Sequence, residues 1–219
     1  MTYNSLHIIK TTAAIGEGIF LTKDVADILQ LPYNKVRYCM KGFWENYTFG
    51  DDKNKAINFF SLLEFYIFYQ LRNHGISSQK IKKVHTQMSY DLHTRYPFAH
   101  HKMRTDEKKR IWFEKFGHLI KADGKQQMDL EPILAGFVNR IVYGKNNIAE
   151  QYYPLENSNN IVIDPKHQFG QPTITGTNIK TQTIFSLHLA GEANETISNL
   201  YDIPLIKVND AVLFHKNAA

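Results

Sequence analysis

Two short helical repeats flank Leu31-Pro32, and no other feature limits the fold of this sequence as sharply. In TKDVADILQL, Val25, Ile28 and Leu29 recur at helical spacing, and Thr22 stands where an N-cap belongs. Leu31-Pro32 breaks that pattern. In YNKVRYCMKGFW, Val36, Cys39 and Met40 fall on one side and Lys35, Arg37, Tyr38 and Lys41 on the other, with Gly42 suited to the C-terminal cap. Two such helices across a short turn have the shape of a helix-turn-helix.

The rest of the chain can be read from the same kinds of signal. Tyr47 and Phe49 precede Gly50-Asp51-Asp52, and Ile57 and Phe59 follow it, which predicts a β-hairpin with Lys53 and Lys55 at its tip. Ser61 and Glu64 have capping-box spacing at the start of a helix running to Gly75, with Phe60 and Phe65 able to close a staple. A further helix after Ser77 places Ile81, Val84 and Met88 on one face. Residues 95–128 read as a small sheet, with short apolar runs near residues 110–113 and 118–120. Asp129 then caps a helix whose apolar stripe extends to Ile141 and Val142. The polar stretch 155–160 reads as a linker, and three short helical patterns close the chain. The expected fold is mainly α with small β elements (α+β). Its units are a winged helix-turn-helix over 1–92, a hairpin-plus-helix segment over 93–154 and a trihelical domain over 155–219.

The chain has 219 residues, enough to bury a core without metal or disulfide staples. Its single cysteine, Cys39, cannot form an internal disulfide and gives no reason to expect an oxidising compartment, so the cytoplasm is expected. No secretory pattern and no apolar run of spanning length is present, which predicts neither export nor membrane insertion. The formal net charge of +5 is unevenly placed. Residues 1–90 hold eleven Lys and Arg against seven acids, and residues 155–219 hold four against six. A basic part beside an acidic part suits two partners, a polyanion and a basic protein.

Catalytic signatures are missing: there is no G-x-S-x-G, P-loop, H-E-x-x-H or cysteine pair. No catalytic residue, metal ligand or cofactor is nominated, and His100-His101 lacks a spaced partner for a metal. Cys39 reads as a packing residue on the inward side of its helix. The second helix carries the one physical mechanism in view. A recognition helix needs cationic and hydrogen-bonding side chains on a narrow outer face, because phosphates reward charge and base edges reward paired donors. Tyr33, Asn34, Lys35, Arg37, Tyr38 and Lys41 supply such a face, and Lys53 and Lys55 on the hairpin would reach the adjacent backbone as a wing. The same residues would also suit the solvated face of a purely structural helix pair.

LTKDVADILQL, PYNKVRYCMKGFW, the basic hairpin, NFFSLLEFYIFYQLRNHGIS and SQKIKKVHTQM, in that order, resemble the winged-helix DNA-binding domain of MerR-type regulators over residues 18–90. Arg37-Tyr38 and residues 71–77 are the closest matches. The hairpin exit reads Ile57-Asn58-Phe59 where that family carries Arg-Tyr. The C-terminal third is similar to the trihelical domain of VapB-type antitoxins. The likeness rests on Asp164-Pro165, on the loop from Gly170 to Thr177, on Gly191 with Ile197, and on Val208 with Val212. Pro172 and Gly176 would fix the loop, and apolar positions 184, 187, 197, 200, 208 and 212 would form a small core.

Together the resemblances imply the antitoxin of a type II toxin–antitoxin pair, which represses its own operon and neutralises a toxin, a PIN-type ribonuclease by expectation. On that reading a homodimer binds double-stranded operator DNA through the residues just named. Arg37 and Lys35 make charge and base contacts, Tyr33, Asn34 and Tyr38 refine the fit, and Lys41, Lys53 and Lys55 hold phosphates. The acidic C-terminal part is the expected toxin-facing section, although no toxin-contacting residue is nominated. Two alternatives stand beside it: a MerR-like ligand-responsive regulator without a toxin, and a protein-interaction module that does not bind DNA.

Overall fold

The computed structural model describes residues 16–51, 54–100, 136, 139–145 and 148–217. β1 (Phe20–Leu21) leads directly into α1 (Thr22–Leu29), and α2 (Tyr33–Cys39) follows across Gln30, Leu31 and Pro32. Thr22 is not the N-cap. That position falls to Leu21, whose backbone N–H donates to Asp24 Oδ2 at 2.8 Å, while the Thr22 hydroxyl is buried and donates to the Lys55 carbonyl at 3.2 Å. Gln30 turns the chain with a left-handed φ of 52°, and Leu31 N–H returns to the Ala26 carbonyl. α2 is shorter than its sequence pattern, because the backbone passes into a 3₁₀ turn over Gly42–Tyr47 instead of capping at Gly42.

β2 (Thr48–Phe49) and β3 (Ala56–Ile57) form the expected hairpin. β1 pairs with the free edge of β3, giving an antiparallel sheet in the order β1-β3-β2. α3 (Phe59–Asn73) begins on Asn58, whose Oδ1 accepts the Ser61 N–H at 2.9 Å. The capping box expected of Ser61 and Glu64 does not form, since Glu64 turns inward. α3 is buried continuously from Ser61 to Tyr69, as befits a central helix covered on every side. α4 (Ser78–Leu92) starts on Ser77, which caps Lys80, and buries Ile81, Val84 and Met88 as the spacing predicts.

Glu64 is 0% exposed. Its Oε1 accepts the backbone N–H groups of Phe98 and Ala99 at 2.8 and 2.9 Å, and its Oε2 stands 2.9 Å from His85 Nε2 on α4. Phe43, Trp44, Tyr47 and Phe98 pack edge-on around the His85 ring. One carboxylate therefore ties α3, α4 and the 97–99 segment together, and burial holds its pKa above the ordinary carboxylate value.

Residues 101–128 of the expected sheet and most of the helix expected from Asp129 lie outside the described residues. The end of that helix is corrected: Ile141–Tyr143 is a strand, β4, paired antiparallel with β5 (Ala149–Tyr152). Ile141 is buried and Val142 exposed, a two-residue alternation that an apolar count over the segment conceals. β6 (Ile161–Val162) pairs with β7 (Thr173–Ile174), and reciprocal hydrogen bonds between Tyr152 and Ile163 link the two hairpins. The stretch 155–160 does not behave as a free linker, because Ser158 and Asn160 both bond Asp210 Oδ2.

The three terminal helices are α5 (Thr181–Leu189), α6 (Asn194–Tyr201) and α7 (Leu205–Asn217). Ile174, Ile184, Ile197, Ile203, Val208, Ala211 and Val212 form their core, with Leu187 packed against it. Leu200 is the exception among the expected core positions: it is 68% exposed on α6. Phe214, Ile161 and Ile163 instead join the large core of the N-terminal elements, around Phe20, Trp44, Phe59 and Phe65. The turn at 168–170 makes a second clamp. Gln168, Phe169 and Gly170 all have positive φ, and the Phe169 carbonyl accepts the Ile19 N–H at 3.1 Å. A Cβ on Gly170 would stand 2.5 Å from Phe20 Cζ, so this close approach requires glycine. The loop that follows is held by its own polar groups: Gly176 takes φ 82°, and the Thr177 and Thr181 hydroxyls bond the Ile174 and Pro172 carbonyls.

Candidate nucleic-acid interface

α2 is fixed from behind. Val36 and Met40 are buried, and the Pro32 carbonyl accepts the Lys35 and Val36 N–H groups to start the helix. With those positions inward, 3.6-residue periodicity sends the intervening side chains outward. Tyr33, Asn34, Lys35, Arg37, Tyr38 and Lys41 are all exposed, Tyr38 to 79%. The side chains of Arg37 and Lys41 make no ion pair or hydrogen bond among the described residues. Lys35 is steadied by Tyr69 of α3, with its Nζ 5.0 Å from the ring centroid, while the Tyr69 hydroxyl donates to the Lys35 carbonyl at 3.3 Å. Burial, followed by the hydrogen bond to Cys39, pushes the Tyr69 hydroxyl above its ordinary pKa.

Beside this face runs a cleft of about 510 Å³ between α2, the 3₁₀ turn and the α3–α4 corner. Its wall contains Lys35, Lys41, Arg72 and Lys82 and no carboxylate. Lys82 Nζ lies 5.2 Å from the Phe43 ring centroid, and Arg72 donates to the Ile76 carbonyl at 2.7 Å, which orients its guanidinium. Cys39 opens onto the same cleft and is half-buried, so it is not the fully covered packing residue that its helical position suggests. Arg72 and Lys82 do not stand out in the sequence, because each belongs to a helix whose pattern shows its apolar face. For Lys82 the one legible sign is the run of basic residues at the start of α4; Arg72 on α3 has none.

The wing residues fare differently. Lys55 is corrected: its side chain is only 13% exposed and its Nζ sits 3.5 Å from Glu45 Oε1. β3 is the middle strand of the sheet, so its first flank is covered, and the lysine is held against the protein instead of standing at a tip. Lys53 lies outside the described residues. Among the described residues no cluster of three or more metal-ligating side chains occurs, and no helix is long and apolar enough to cross a membrane. Of the His100-His101 pair, His101 lies outside the described residues.

Residues 161–214 match the family described as a protein of unknown function (DUF433). The match begins at β6 and ends at Phe214, and so takes in the 164–180 loop and all but the last turn of the three terminal helices. No curated protein matches the chain. Among solved structures, the fold is similar to the X-ray crystal structure of Rv2018 from Mycobacterium tuberculosis, with a TM-score of 0.70 at 16% identity. The likeness covers 88% of this chain and 96% of that one, so it extends beyond the terminal helices.

Proposed function

We propose that this protein is the DNA-binding antitoxin of a type II toxin–antitoxin pair. In this reading a homodimer represses its own operon through α2, and the chain also neutralises a toxin of the PIN ribonuclease type. The observation that carries the DNA-binding half is the exposed face of α2, continuous with a cleft that holds four cations and no acid. Phosphates reward such a surface whatever the base sequence, and Arg37 with Asn34 offers the paired donors that base edges reward. Arg72 and Lys82 would add phosphate contacts from the α3–α4 corner, the role that the tethered Lys55 is poorly placed to fill. The antitoxin half rests on the VapB-like pattern of the C-terminal third, within the segment that matches DUF433.

The test is binding of the purified chain to the DNA upstream of its own gene. Arg37→Ala should weaken binding about tenfold or more, the weight of one good bidentate contact. Unchanged affinity at moderate salt removes the recognition-helix assignment. For the toxin, the product of the adjacent gene should co-purify with the chain and lose its ribonuclease activity, and failure of both removes the antitoxin assignment.

A further inference from the structure

A second cleft, also about 510 Å³, lies on the other side of α1, between α3, the 154–158 strand exit and α7. That volume falls within the range of about 300–1,000 Å³ usual for small-molecule sites. Its lining joins the two cores, and Gln30, the left-handed residue that turns the chain toward α2, forms part of its wall. Tyr66 and Tyr152 line it, with their rings 4.9 Å apart. Burial pushes the Tyr66 hydroxyl up to about 12 and raises that of Tyr152 well above its ordinary value; the two hydroxyls hydrogen-bond each other, and Tyr152 also bonds Arg140.

Three charged side chains line the same space, Arg140 against Glu156 and Asp210. Arg140 donates to the Pro154 carbonyl and pairs with Glu156, whose own side chain is 77% exposed. That exposed carboxylate pays little to leave, so a carboxylate entering the cleft can take its place on the guanidinium. Asp210 is anchored through Oδ2 by Ser158 and Asn160, and its Oδ1 carries no hydrogen bond among the described residues. An ammonium group suits that free oxygen. Ile28, Leu29, Leu155 and Leu213 complete the wall with apolar surface.

We infer that this cleft binds a small amino-carboxylate with an apolar side chain, its carboxylate on Arg140, its ammonium on Asp210 and its side chain toward Leu29 and Leu213. The test uses the full chain with the standard L-amino acids, one at a time at millimolar concentration, read by thermal unfolding and calorimetry. Any that binds is then compared with its deaminated acid and its decarboxylated amine. Expected is a saturable rise in melting temperature for at least one apolar amino acid and for neither half alone. Asp210→Asn, which keeps an acceptor for Ser158 and Asn160, should weaken binding about tenfold, as loss of a charged hydrogen bond does. Leu213→Arg, on an exposed face of α7, should abolish binding by filling the cleft and should unfold at the wild-type temperature without ligand. No amino acid binding, equal binding of a half-molecule, or binding unchanged in both variants would each overturn the assignment.

Discussion

Replacing Glu64 by alanine is the sharpest test of how the N-terminal core is held. The carboxylate is fully buried and satisfies two backbone donors, Phe98 N–H and Ala99 N–H, that no water can reach once the side chain is in place. Each buried donor left without a partner costs about 1–3 kcal/mol, so orphaning two gives about 2–6 kcal/mol. The cavity adds to this, and His85 loses the group 2.9 Å from its Nε2. Against a total stability of about 5–15 kcal/mol this is a large share, and it corresponds to a fall in melting temperature of about 5–20 °C for a chain of this size. Glu64→Gln keeps a carbonyl oxygen for both donors and should cost far less. The assay is thermal and urea unfolding of the three proteins side by side. A destabilisation below about 1 kcal/mol in Glu64→Ala, or equal destabilisation in both variants, would refute the two-donor account.

The same pair of variants carries a pH test. Burial raises the folded pKa of Glu64 above its ordinary value of 4.5. The folded state therefore binds the proton more tightly than the unfolded state. The resulting stability is fully present below the ordinary value and is lost as pH rises toward the folded one. Wild type should lose stability relative to Glu64→Gln on going upward from about pH 4. A difference that is flat or of opposite slope would show that His85 and the two N–H groups outweigh burial.

Other outcomes follow from particular side chains. Combined Arg72→Ala and Lys82→Ala should reduce the salt slope of DNA binding by about 2, near 0.9 for each phosphate no longer neutralised, and an unchanged slope would remove the cleft from the interface. Phe214→Ala should destabilise the chain by about 3–5 kcal/mol, because the ring fills the N-terminal core from the last helix; a cost near zero would show that α7 only rests on that core. Gly170→Ala should lower the melting temperature, since it meets both a left-handed φ of 84° and the Phe20 ring, and a neutral result would contradict the clamp. Tyr38→Ala should leave thermal stability unchanged, its ring being exposed, while weakening DNA binding.

The sequence by itself determined those features whose cause is local. Helical spacing of Val25 with Ile28 and of Val36 with Met40, interrupted at Leu31-Pro32, was enough to place α1, α2 and the outward face between them. The apolar spacing of Ile184, Ile197, Val208 and Val212 marked the three terminal helices, and Ser77 marked the start of α4. Tertiary structure decided what depends on partners far along the chain. Glu64 has capping-box spacing, yet it lies inside because donors some 35 residues later reach it. Lys55 sits near a hairpin tip in sequence and is held against the protein in space. Ile141 and Val142 fit a helix by composition and form a strand because Tyr152 and Gln151 lie opposite. Leu200 fits the helical core by spacing and faces outward, whereas Phe214 leaves that core to fill another. Periodicity reports which face of an element is apolar, but the element that covers that face is chosen by packing, and both clefts exist only where such choices bring distant segments together.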